Sequence, residues 1–183
     1  MAIAPPAEAL AELADAVEPL RLTAPELRWA GRESWHLTLA FLGEVDERML
    51  PDLTTRLERA ASRHPSQRLA INGAGAFPAA GRARIIWAGI QGDGAALAAL
   101  AASVAAGARR AGAPPPDEGR KYRPHLTLAR CRQPVDATHL TQVLAGFAGQ
   151  HWTASGIILM RSQPGGQPRY EQLARWPLRP VAE

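Results

Sequence analysis

The sequence is poor in thiols and almost without lysine: Cys131 is its one cysteine and Lys121 its one lysine among 183 residues. A lone cysteine excludes an intramolecular disulfide framework and any zinc or iron–sulfur centre built on several thiolates, and it suits a reducing cytoplasm. The cations are otherwise arginines, and Lys plus Arg exceed Asp plus Glu by only 21 to 17. A net charge of +4 is too small for a protein that coats nucleic acid by charge alone, although it leaves room for a local anion site. Long apolar runs are missing as well. The stretch from Ala95 to Ala108 is alanine-rich and too short to cross a bilayer, and Met1 to Pro6 has no basic-then-apolar leader pattern. The composition is that of a folded globular chain, 46% hydrophobic and 21% charged. Its length fits one compact domain, or two small lobes sharing one. A soluble cytoplasmic protein without a membrane segment is expected.

Periodicity predicts a mixed order of elements. Leu10, Leu13, Ala14 and Val17 define a helix over Ala7 to Val17, closed by Pro19. Two extended segments follow, Glu26 to Ala30 and Ser34 to Leu42. Asp46 is an N-cap candidate for a helix to Arg63, with Met49, Leu50, Leu53, Leu57 and Ala60 on one face. Gln67 to Ile71 and Ala83 to Ile90 read as strands flanking a loop from Asn72 to Gly81, in which Asn72-Gly-Ala-Gly75 is a turn. A helix over Asp93 to Ala111 is broken by the glycine- and proline-rich segment Gly112 to Gly119. Then come an extended segment Tyr122 to Arg130, a helix Asp136 to Phe147, a long strand His151 to Arg161, a Gly-Gly turn and a strand Pro168 to Trp176. Helices interspersed irregularly among strands indicate an α+β fold.

The most informative feature is a repeated pentapeptide. Residues 36–40 and 125–129 both read His-Leu-Thr-Leu-Ala. The period of 89 residues from one copy to the next is too long for a solenoid repeat and suits two related halves of one domain. On a strand, His36 and Thr38 share one face and Leu37 and Leu39 the other, and the second copy behaves likewise. Each leucine pair would fix its strand to a core, leaving an imidazole and a hydroxyl roughly 6–7 Å apart on the opposite face. One such strand is explained by ordinary alternation; the same histidine twice is not.

Two imidazoles near neutrality can serve as one base and one acid, as required when water attacks phosphorus and an alkoxide leaves on the far side. Threonine hydroxyls can donate to the non-bridging oxygens. This scheme requires no metal and no cofactor. The other histidines, His64, His139 and His151, have no ligand spacing with either motif, and His64 near a helix C-terminus suits compensation of the helix dipole. No phosphate-binding Gly-x-x-x-x-Gly-Lys loop occurs, and Ser34 and Ser162 lack a nucleophile-elbow setting. Identical motifs leave open which histidine is acid and which is base.

The runs Trp35-His-Leu-Thr-Leu-Ala-Phe-Leu-Gly-Glu-Val45 and Arg123-Pro-His-Leu-Thr-Leu-Ala-Arg130 resemble those of the two-histidine (2H) phosphoesterases, specifically the bacterial RNA 2',3'-cyclic phosphodiesterases, or 2'-5' RNA ligase-like proteins. Gly75-Ala-Phe-Pro78, Ile85-Ile-Trp-Ala-Gly-Ile90, and Ser162 ahead of Tyr170-Glu-Gln-Leu173 fit the same pattern. The resemblance implies a bilobal α+β domain spanning residues 1–183, with two quasi-symmetric lobes whose antiparallel sheets face a central cleft and whose helices lie outside. It implies hydrolysis of RNA 2',3'-cyclic phosphate ends to 2'-phosphomonoesters, with His36 as proton donor, His125 as proton acceptor, and Thr38 and Thr127 holding the phosphate. A monomer with an RNA or oligonucleotide substrate and no obligate protein partner is expected. Small cyclic or 2'-5'-linked nucleotides as substrates, or RNA binding without turnover, are the alternatives.

Three flanking residues are further candidates. Arg130 is a potential phosphate clamp, but its odd offset from His125 places it on the wrong strand face unless the strand ends or bulges first. Tyr122 could stack on a base and Arg123 could meet a phosphate. Trp35 falls on the leucine face and belongs to a core. The family pattern also leads one to expect an apolar strand before the first helix, here reduced to Ala2-Ile3-Ala4.

Overall fold

The computed structural model describes residues 1–116, 121–163 and 170–181. The expected Gly-Gly turn, the start of the last predicted strand at 168–169 and the end of the break before Tyr122 lie outside the described residues.

The chain opens with a two-residue strand, β1 (Ala2–Ile3), and helix α1 (Ala7–Thr23). Pro19 does not end the helix as its position predicts. It sits exposed, while Leu20 continues the buried stripe of Leu13 and Val17. Burial of a leucine, worth about 1.5–3 kcal/mol, is comparable with the roughly 3 kcal/mol that an interior proline costs. β2 (Arg28–Trp29) and β3 (Leu37–Thr38) are short. Asp46 caps a single 3₁₀ turn by accepting from the Arg48 amide, and α2 (Leu50–Ser62) follows. α3 (Gly94–Arg110) starts where the Asp93 carboxylate accepts from the Ala95 and Ala96 amides, and Leu97, Leu100 and Val104 form its buried stripe.

Two expectations are corrected in the strands. The predicted loop Asn72 to Gly81 is largely sheet, because β4 (Gln67–Phe77) continues through it to pair with β5 (Ala83–Gln91). Gly73 serves a bulge between Ile71 and Ala74, where it takes a left-handed φ of 63°, rather than a plain turn. The predicted long strand from His151 is two strands, β7 (Trp152–Ala154) and β8 (Gly156–Ser162), and they belong to different sheets. β6 (His125–Val135), helix α4 (Thr138–Ala145) and β9 (Tyr170–Pro177) complete the described elements.

The described strands form two antiparallel sheets, one of order β3-β1-β8-β9 and one of order β2-β6-β5-β4-β7. Leu53 and Leu57 of α2 and Leu97, Leu100 and Val104 of α3 share a core with Leu37, Leu39, Ile157 and Leu159 of the four-stranded sheet. Leu13 and Val17 of α1 and Leu140 and Leu144 of α4 share a second core with Ile86, Leu126 and Leu128 of the five-stranded sheet. This is the expected α+β class, each sheet carrying one copy of the repeated motif. The four-stranded sheet draws its strands from both ends of the chain.

Candidate active site

The first motif lies on β3 and its approach. Leu37 and Leu39 are buried in the core under the four-stranded sheet, while Thr38 is exposed, as strand alternation predicts. β3 is held by β1: Ile3 pairs with Leu37, Ala2 with Thr38, and the Leu39 amide donates 2.9 Å to the Met1 carbonyl. The short apolar segment before α1 is thus a central strand that carries the motif. Trp35 is buried as expected, but in the other core, with the Arg21 guanidinium 5.7 Å from its ring centroid. The His36 ring meets Tyr170 edge-on at 4.9 Å. Its Nδ1 is buried without a well-formed hydrogen bond. Burial, and then the Met1 ammonium, push its pKa down to about 4, against a smaller opposing effect of the Ser34 backbone. At neutral pH the free protein carries this imidazole uncharged.

The second motif opens β6. Leu126 and Leu128 are fully buried, and His125 and Thr127 are half-buried on the opposite face. His125 Nδ1 lies 2.6 Å from the Arg123 carbonyl. A carbonyl only accepts, so the neutral ring carries its proton on Nδ1 and leaves the Nε2 lone pair free, the tautomer of a general base. Phe77 meets the ring edge-on at 5.0 Å and Trp87 lies 6.2 Å away. Burial lowers the His125 pKa; the Arg123 backbone opposes this and the Arg130 charge adds to it.

Arg130 reaches the polar face because the strand bulges. Trp87 pairs with Thr127 and Ile86 with Ala129, so Leu128 is an extra residue on β6. Leu128 and Ala129 are consecutively buried, and Arg130 returns to the side of Thr127, exposed. Tyr122 and Arg123 are engaged within the protein. The Tyr122 ring packs against the core under the four-stranded sheet, and its hydroxyl donates 3.1 Å to the Thr38 carbonyl, joining the approach to the second motif to the strand of the first. Burial raises its pKa. The Arg123 guanidinium lies 5.9 Å from the centre of the Phe77 ring, while its carbonyl orients His125.

Tyr170, Phe77 and Trp87 are neighbours of the two histidines to which sequence reasoning gave no role, although each stood in a quoted motif. The placement of Trp87 depends on close approach of backbone and ring: a Cβ on Gly75 would lie 2.3 Å from the Trp87 ring. His64, expected to compensate a helix dipole, stands half-buried just past the C-terminus of α2. Its Nε2 lies 2.7 Å from the Ser103 hydroxyl, and burial followed by the charges of Arg179 and Arg63 lowers its pKa. A surface groove of about 370 Å³ between α2 and α3, and another of about 460 Å³ beside Ser155 and Arg175, contain no residue of either motif. Among the described residues no three His, Cys, Asp or Glu side chains converge as a metal site would need, and no helix is long and apolar enough to cross a membrane.

Comparison with known proteins follows the same lines. The family model of the 2'-5' RNA ligase superfamily matches residues 5–166. A Thermus thermophilus protein named RNA 2',3'-cyclic phosphodiesterase is 34% identical over 150 residues, covering 79% of this chain and 72% of its own. One of the same name from Aeropyrum pernix is 33% identical over 112 residues, and the match spans only 61% of each chain. The crystal structure of Escherichia coli LigT complexed with 3'-AMP superposes with a TM-score of 0.72 at 27% identity, covering 97% of this chain and 95% of that one. With its family model matched across most of its length, and two antiparallel sheets each carrying a His-x-Thr strand, the chain belongs to the 2'-5' RNA ligase superfamily.

Proposed function

We propose that the protein hydrolyses RNA 2',3'-cyclic phosphate ends to 2'-phosphomonoesters by paired histidine acid–base catalysis without a metal ion. Water attacks phosphorus opposite the 3' oxygen. His125 Nε2 takes the water proton, the bond from phosphorus to the 3' oxygen breaks, and His36 delivers its proton to that oxygen. The products are a 2'-phosphate and a free 3' hydroxyl; the two histidines end with exchanged protonation and reset through solvent. Thr38 and Thr127 donate to the non-bridging oxygens, where charge accumulates in the transition state, and Arg130, next along the face, adds a guanidinium. Tyr122 and Arg123 act by positioning, the first on β3 and the second on His125. The two sheets with their own cores are read as two lobes of one domain, working as a cytoplasmic monomer.

The observation that carries this reading is the His125 ring held by a backbone carbonyl in the tautomer of a base, on a strand whose sequence is repeated around His36. The names of the relatives support the substrate. The test is hydrolysis of an oligonucleotide ending in a 2',3'-cyclic phosphate. His36→Ala and His125→Ala should each lower kcat by about 10²–10⁴-fold, and chelator should leave the wild type active. Chelator-sensitive turnover, or full activity in either variant, overturns the scheme.

A further inference from the structure

Beside the proposed catalytic pair lies an arrangement that opposes the sheet's own stability. β2 pairs with β6 so that Arg28 stands directly opposite Arg130 and Trp29 opposite Ala129. Directly opposed residues of antiparallel strands share a face. Trp29 and Ala129 belong to the core under the five-stranded sheet, so Arg28 and Arg130 project from the other face, that of His125 and Thr127. The same register continues across the sheet: Arg130 pairs with Ile85 and Ile85 with Phe77, while Thr127 pairs with Trp87 and Trp87 with Gly75. The face is therefore ordered in rows, His125 first, Thr127 next, and then Arg130 with Arg28 beside it at the sheet edge.

Both arginines are exposed, and among the described residues neither has a carboxylate within ion-pair distance. Like charges directly opposed on paired strands are destabilising, and here one lies on the edge strand β2 and the other on β6 beside it. The Arg130 charge is felt at His125, whereas Arg28 is one strand further out, about 5 Å from Arg130 between their Cβ atoms. Its strand is fixed rather than loose: the Trp29 indole donates 2.9 Å to the Ala24 carbonyl, and the Arg21 guanidinium lies 5.8 Å from the ring centroid.

We infer that Arg28, with Arg130, forms a subsite for a second phosphate, the phosphodiester immediately upstream of the cyclic end. This rests on the proposed function. An RNA ending in a cyclic phosphate has its neighbouring phosphodiester only on the 5' side, so a cation one strand beyond the reacting phosphate selects polynucleotide over mononucleotide. The guanidinium fork suits a phosphodiester.

The test has a binding arm and a catalytic arm. In the binding arm, affinities are measured for an oligonucleotide ending in a 2'-phosphate and for the matching nucleoside 2'-phosphate. R28A should reduce the ratio of the two affinities about tenfold, as expected for loss of one charge-assisted contact. It should also make the salt slope of oligonucleotide binding shallower by about 0.7. R28K should recover most of the salt slope and part of the affinity ratio. An unchanged ratio and slope in R28A overturns the subsite, as does an equal loss on both ligands. In the catalytic arm, kcat/KM on the oligonucleotide relative to the 2',3'-cyclic mononucleotide should fall by the same factor. Absence of hydrolysis in the wild type would remove the proposed activity, and the binding ratio would still decide the subsite.

Discussion

The Tyr122 hydroxyl donates a 3.1 Å hydrogen bond to the Thr38 carbonyl, a contact between residues 84 apart in sequence that ties the approach to the second motif to the strand of the first. Thr38 lies on a strand of only two residues, so its position depends on such cross-links as much as on sheet pairing. Tyr122→Phe keeps the ring in its core contact and deletes the donor. Net loss of one hydrogen bond corresponds to about 0.5–1.5 kcal/mol, measurable by urea unfolding, and kcat should fall more than KM rises because, in the proposed reaction, Thr38 acts on developing charge. Wild-type kcat in this variant would show that the brace does not position Thr38.

Gly75 has a different part in the same region. A Cβ there would lie 2.3 Å from Trp87 Cζ2, so an alanine must displace the indole that stands with Phe77 beside His125. Overpacking of this kind costs about 1–3 kcal/mol. Gly75→Ala should lower stability by that amount and reduce hydrolysis. Gly81→Ala, where a Cβ meets nothing within 4 Å, should do neither. Comparing thermal unfolding and turnover of the two variants checks both statements.

What was legible in the sequence was local and periodic. Alternation placed Leu37, Leu39, Leu126 and Leu128 inward and Thr38 outward, and the alanine-rich helix with its stripe of Leu97, Leu100 and Val104 was readable directly. What was not legible depended on tertiary register. Arg130 reaches the polar face only because Leu128 is inserted as a bulge, which pairing with Trp87 and Ile86 defines and alternation cannot. The continuous apolar pattern from His151 conceals a change of sheet at Ser155, because both strands want the same residue types. Pro19 stays inside α1 because Leu20 has a core to enter, which local propensity does not see. The partnership of Arg28 with Arg130 likewise exists only in the pairing of β2 with β6.

The lowered His36 pKa also makes the fold acid-sensitive. In the unfolded chain its imidazole protonates near pH 6.5, whereas in the folded protein burial and the Met1 ammonium hold the value to about 4. The contribution is fully in place above pH 6.5. As pH falls below that value the unfolded state binds a proton that the folded state refuses, and stability drops by about 1.4 kcal/mol per pH unit until pH 4. The total is about 3 kcal/mol. Urea unfolding at pH 7 and pH 4.5 should show this loss, and His36→Asn should show less of it; an equal loss in the variant would assign the acid sensitivity to other groups.

The same shifts fix where the enzyme should work best. In the proposed reaction turnover needs His36 protonated and His125 neutral, and both values lie below the ordinary 6.5, His36 at about 4 and His125 lowered by burial and by Arg130. For the free enzyme, the fraction in that state is greatest between the two values and falls about tenfold per pH unit once both are exceeded. The cyclic phosphate is a monoanion throughout this range and does not titrate. The profile of kcat/KM should therefore be bell-shaped with its maximum below pH 6.5, and the rate at pH 8 should be about a tenth of that at pH 7. Arg130→Gln should move the His125 limb upward, since the charge that lowers it is gone. A maximum at pH 7.5 or above would contradict the pair of depressed imidazoles as the acid and base of the reaction.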